Sequence, residues 1–108
     1  MTTTATPVFD PAQLHRRTLG DAHLQIEVLS LFSAEVERLM RQVEDAEDAQ
    51  VRADRLRAMI TTALNVGAAR LAQAARTVET QIGLEAPDLE PLKSAVGETL
   101  DYVRQTGI

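Results

Sequence analysis

The sequence predicts an all-α protein: an antiparallel up-down four-helix bundle with a short additional N-terminal helix. Three observations predict it. Apolar residues recur at steps of three and four through four long segments, which gives each helix one stripe to bury. No segment alternates apolar and polar residues with period two, and no Asn-Gly or Asp-Gly hairpin signal occurs. Four helices with one stripe each close most economically around a shared core. The chain has 108 residues, which suits one domain. Residues 9–108 are read as that domain and residues 1–8 as a polar, Thr-rich tail.

The elements follow in order. Asp10 is placed to cap a short helix with Pro11 at its first position, closing at Gly20. Asp21 can cap the longest helix. Its predicted stripe is Leu24, Val28, Leu31, Phe32, Val36, Leu39, Met40 and Val43. Ile26 and Leu29 fall off that stripe and are expected to form a small exposed apolar spot. The charged run Glu44 to Gln50 reads as a solvated helix end and turn. From Val51, the residues Leu56, Met59, Ile60 and Ala63 mark a third helix, interrupted at Asn65-Val66-Gly67. An alanine-rich fourth helix carries Ala68, Leu71, Ala74, Ala75, Val78 and Ile82, with Gly83 as its stop. Glu85-Ala86-Pro87 is a linker. Asp88 then caps a last helix whose stripe is Leu89, Leu92, Val96, Leu100 and Val103, ending at Gly107.

Composition narrows the function classes. Only 3% of residues are aromatic, which disfavours base-stacking nucleic-acid modules. A net charge of −5 disfavours a protein that tracks phosphates along DNA. Without cysteine there is no disulfide, no thiol nucleophile and no Cys-ligated zinc. No apolar run approaches the ~20 residues of a membrane span, and no signal-peptide pattern follows Met1. A cytoplasmic protein without a membrane or nucleic-acid partner is expected, with a monomer favoured over a homodimer.

Site chemistry is sparse. The two histidines, His15 and His23, straddle the predicted break at Gly20 and form neither a His-x-x-x-His nor a Glu-x-x-His pattern. No Gly-x-Ser-x-Gly elbow or glycine-rich phosphate loop occurs. No metal or other cofactor is expected, and the chain is not read as an enzyme.

The middle segment LRAMITTALNVGAARLAQAARTVE resembles the signature region of bacterial histidine phosphotransfer (HPt) domains. The opening, FDPAQLHRRTLGDAHLQIEVLSLFSAEVERLM, is similar to that family's short first helix, Gly-Asp turn and long second helix. The family signature runs His-x-Leu-Lys-Gly-Ser-Ala-x-x-x-Gly-Ala. Its Gly-Ala matches Gly67-Ala68, its Ala matches Ala63, Thr62 stands for Ser and Met59 for Leu. The chemical positions depart. Arg57 occupies the phosphoacceptor position, Ile60 that of the phosphate-neutralising Lys, and Thr61 that of the small Gly.

Phosphotransfer needs a neutral imidazole nitrogen, and a guanidinium is no such nucleophile. The resemblance therefore implies a phosphorelay protein of two-component signalling that keeps the scaffold without the relay step. It would dock on a response-regulator receiver or a histidine kinase. Its expected face is Asp54, Arg57, Ile60, Thr61 and Leu64, with Ile26 and Leu29 adding apolar contact from the long helix. Asp54 stands three residues before Arg57 and can pair with it. Arg57 then has two readings, a solvated helix residue or a cation that meets the acidic pocket of a receiver. Ile60 has two as well, core or face. Two other functions stay open: a helical interaction module outside phosphorelay signalling, and active transfer through His15 or His23.

Overall fold

The computed structural model describes residues 6–81 and 87–106. They form five helices and, among the described residues, no strand: α1 (Pro11–Thr18), α2 (Ala22–Asp45), α3 (Ala49–Val66), α4 (Ala69–Glu79) and α5 (Glu90–Gln105). Ile82, Gly83, Glu85, Ala86 and Gly107, which the sequence assigns to a stripe, stops and a linker, lie outside the described residues.

Local chemistry sets the boundaries. The Asp10 carboxylate accepts from the amides of Ala12 and Gln13, and the Asp21 carboxylate from that of Leu24. Each satisfies first-turn donors that have no partner within the helix. Asp48 does the same for Gln50 and Val51, so α3 begins at Ala49, two residues before Val51. The charged run is thereby divided: Glu44 and Asp45 finish α2, and Ala49 and Gln50 open α3. Asp88 is not the cap of the last helix: Leu89 flanks α5 without a side-chain cap bond, and Asp88, one residue earlier, accepts from the amide of Glu90 at 3.0 Å.

Between α3 and α4 stand only Gly67 and Ala68. Gly67 adopts φ 83°, and the Ala68 amide donates back to the Ala63 carbonyl at 2.8 Å. This bond satisfies a carbonyl left open at the end of α3.

Each of α2 to α5 packs against its neighbours in sequence, and α5 packs back on α2, so the four close into a ring. The short α1 lies on α2 and α3. Leu29, Val36, Val43, Leu56, Met59, Leu71 and Leu92 meet inside the ring, all essentially without solvent contact. Ala63, Ala72 and Ala75 are buried as well, and their small side chains suit the close approach of α3 and α4. Two threonines are buried as well. Thr18 and Thr99 donate their hydroxyls to the carbonyls of Leu14 and Ala95, so neither burial leaves a polar group unpaired.

The N-terminal segment is tied down earlier than a tail over residues 1–8 implies. Arg70 of α4 donates its backbone amide to the Pro7 carbonyl and its side-chain Nε to that of Thr6. Val8 packs on the core. The Asp10 amide donates to the Gly67 carbonyl at 2.7 Å. Phe9 is buried where it stacks on Tyr102 and meets Phe32 edge-on, which gathers all three aromatic rings of the chain in one place.

One part of the expected core is displaced. Leu29 is 0% exposed and belongs to the core, whereas Leu31 is 74% exposed. The first half of α2 carries apolar residues at 24, 26, 28, 29, 31 and 32, spread over about 220° of the helix circumference. Periodicity cannot select a face there. The second half does select one, and stepping back seven residues from Val36 and Leu39 reaches Leu29 and Phe32.

Among the described residues, no helix is long and apolar enough to cross a membrane.

Candidate functional site

The core-facing residues of α3 are Ala53, Leu56, Met59, Ala63 and Val66. Arg57 lies on the flank of that stripe, halfway along the helix, on the side that α4 approaches. Its side chain is 58% exposed. The guanidinium is held from two directions. Nε donates to Glu79 Oε2 of α4 at 2.9 Å, and one terminal nitrogen donates to Asp54 Oδ1 at 3.2 Å. Gln50 also donates its amide to Asp54 Oδ1, at 3.2 Å. The expected pair of Asp54 and Arg57 is present, with a second carboxylate added. One cation between two carboxylates leaves this patch with an acidic excess.

Glu79 was not anticipated from the sequence. Its signal lies in the turn at Gly67-Ala68. An antiparallel hairpin centred there sets Arg57 level with Glu79, because the two are nearly equidistant from the turn.

The other proposed face residues divide. Thr61 and Leu64 are exposed on the next turns of α3. Ile60 is half-buried and packs against the core, which settles its position as core edge. Leu29 is a correction: it is sealed inside and offers nothing to a partner. Ile26 is exposed on α2, beside Glu27, Ser30 and Leu31 around a shallow depression.

Ile26 does not extend the Arg57 face. Where α3 turns toward α2, its residues are Thr62, Asn65 and Val66. With Arg17, Val28, Leu31, Phe32 and Glu35 they line a groove of about 240 Å³. Thr62 is about 140° around the helix axis from Arg57. The two surfaces lie on different flanks of α3.

Neither histidine joins them. His15 is exposed on α1 with its imidazole against Gly20, where an added Cβ would come within 2.8 Å of Cε1. His23 is exposed in the first turn of α2. Among the described residues, no group of three or more His, Asp or Glu side chains is placed to hold a metal ion. Chemically, the Arg57 flank presents a guanidinium, a hydroxyl at Thr61 and apolar surface at Leu64. These can form hydrogen bonds, ion pairs and packing contacts. They include no nucleophilic nitrogen for a phosphoryl group.

No protein-family model matches the chain, and neither a curated protein nor a solved structure matches it.

Proposed function

We propose that this chain is an HPt-like component of two-component phosphorelay signalling that docks a response-regulator receiver, or a histidine kinase, without carrying phosphate. In this reading the ring of α2 to α5 is an antiparallel up-down four-helix bundle, α1 is its additional helix, and the protein works in the cytoplasm. The observation that carries it is the place of Arg57. A charged, solvent-facing side chain stands halfway along α3 beside α4, at the position where the family signature has its reactive imidazole.

Asp54, Arg57, Ile60, Thr61 and Leu64 form the proposed contact. Arg57 would exchange its own carboxylates for those of a receiver's acidic pocket. Exposed ion pairs contribute only about 0–1 kcal/mol each, so releasing Arg57 costs little, while the freed Asp54 and Glu79 carboxylates repel an acidic pocket and must swing aside for the exchange. Ile60 contributes only the edge that the core leaves open. The partner's signalling is changed by occupancy of its docking surface, not by transfer.

The test has two parts. Purified protein incubated with a phosphorylated receiver, or with a small-molecule phosphodonor, is expected to acquire no phosphate. A stable phosphoprotein mapped to His15 or His23 would restore active transfer in place of this reading. Arg57→Glu is expected to weaken receiver binding while helical content stays unchanged. Binding indifferent both to that change and to substitution of Thr61 would remove the face.

A second reading draws on the two ion pairs of Arg57. They brace α3 against α4 and already neutralise the cation. An interaction module outside phosphorelay signalling would need Arg57 for nothing more. Affinity capture that returns neither receivers nor kinases favours this alternative.

A further inference from the structure

α2 turns one side to the core and leaves the opposite side uncovered. Glu27, Leu31, Ala34 and Arg38 fall within about 60° of one another around the helix, facing away from Leu29, Val36 and Val43. All four are exposed. A single exposed leucine calls for no explanation. The order of this stripe does: acid, leucine, alanine, base, at spacings of four, three and four.

That order is complementary to its own reverse. Consider a second α2 laid antiparallel across the first, with the two-fold axis at the height of Phe32 and Ser33. Glu27 of each copy then faces Arg38 of the other, and Leu31 of each faces Ala34 of the other. The small alanine leaves room for the leucine, so both apolar contacts and both ion pairs form at once. A parallel arrangement would set Glu27 against Glu27 and Arg38 against Arg38.

The side chains are available for this contact. Among the described residues Glu27 makes no ion pair. Arg38 is held by Glu35 of its own helix at 2.6 Å, in a pair half open to solvent. A guanidinium has five donors, so a second carboxylate can join without displacing the first. Ile26 and Ser30, beside the stripe, add the rim of the shallow depression.

We infer that a second copy of this chain docks on this face, α2 against α2, in an antiparallel two-fold dimer. Such an interface is isologous, the commonest arrangement among soluble homo-oligomers. One helix per side gives an interface at the small end, below about 1,200 Å², so the pairing is weak and reversible. The chain is monomeric when dilute and dimeric when concentrated. The stripe faces outward from α2, whereas Arg57 lies on the flank of α3 toward α4, so the Arg57 flank stays open in the dimer. The inference is independent of what Arg57 binds.

Sedimentation equilibrium of the full chain, from about 5 to 500 μM, tests it through mass action. A monomer–dimer equilibrium is expected. Leu31→Lys should abolish it, and Glu27→Arg or Arg38→Glu alone should each weaken it at least about tenfold. The exchanged chain, Glu27→Arg with Arg38→Glu, should return to within about threefold of the original, since each new arginine again faces a glutamate. Circular dichroism verifies that every variant remains helical, and Leu31→Gln replaces Leu31→Lys if the lysine variant unfolds. A monomer at every concentration overturns the proposal. So does a dimer that tolerates each charge reversal, or an exchanged chain that fails to recover.

Discussion

Arg57 Nε donates to Glu79 Oε2 at 2.9 Å, joining the middle of α3 to the last turn of α4 across a separation of 22 residues. The same guanidinium holds Asp54 on its own helix. The cation therefore has a structural partner on each side before any other molecule arrives. Its charge alone does not distinguish docking from bracing, and the size of the brace becomes the quantity to measure.

A double-mutant cycle measures it. Both side chains have substantial solvent access, at 58% and 30%, so water screens the pair. Arg57→Ala and Glu79→Ala should each cost less than about 1 kcal/mol, with a coupling of about 0.5 kcal/mol. Denaturant unfolding of the four chains supplies the numbers. A coupling above about 2 kcal/mol would mean that α3 and α4 depend on this link, and would favour the bracing role.

Leu29 and Leu31 provide the sharpest contrast in the fold. They lie two residues apart on α2, one fully buried and the other 74% exposed. Leu29→Ala should cost about 2–5 kcal/mol, as truncation of a sealed core leucine does. Leu31→Ala should change monomer stability by less than about 0.5 kcal/mol. Thermal or urea unfolding of dilute protein reads both. Equal costs would show that α2 is rotated from the register described.

This pair also marks how far the sequence could be read. The number, order and type of the helices are legible because caps and stops are local: Asp10, Asp21 and Gly67 act on amides or carbonyls within a few residues, whereas the Asp48 cap is hidden in the charged run that the sequence assigns to a turn. The rotation of α2 about its axis is not. Apolar residues spread over about 220° of the first half of that helix, and packing against its neighbours selects Leu29 over Leu31. Two of the three charged residues of the candidate site are legible for the same reason as the caps. Asp54 and Arg57 are three residues apart on one helix, whereas Glu79 reaches Arg57 only through the antiparallel turn. Ile26 is expected beside Arg57 as an apolar residue off the stripe of α2, and an off-stripe position does not fix which flank a residue occupies.

Two glycines should respond to alanine in opposite ways. Gly67 has φ 83°, and a Cβ there would lie 2.9 Å from Gln13 Cβ and 3.0 Å from the Asp10 carbonyl oxygen. Backbone strain and close contact act together, and Gly67→Ala should cost at least about 2 kcal/mol. Gly97, inside α5, would place its Cβ in open space. Gly97→Ala should stabilise by about 0.5–1 kcal/mol, because glycine is the poorer helix former. Midpoints of chemical denaturation compare the two directly. A neutral Gly67→Ala would show that α1 does not seat on the α3–α4 turn as described.

The remaining prediction concerns the segment that precedes α1. Phe9 stacks on Tyr102 of α5 with ring centroids 4.5 Å apart and meets Phe32 of α2 edge-on at 5.9 Å. One residue later, the Asp10 amide donates to Gly67. Phe9 thus links the segment before α1 to α2 and α5, and it is buried although it lies outside every helix. Phe9→Ala should cost about 3 kcal/mol, through lost apolar burial and the cavity left between α2 and α5. Phe9→Leu should cost less than about 1.5 kcal/mol, because leucine refills most of that space. Guanidinium unfolding followed by far-ultraviolet circular dichroism measures both changes. Should Phe9→Ala cost less than about 1 kcal/mol, the strap from Thr6 to Asp10 unfolds apart from the helices and contributes nothing to their cooperative stability.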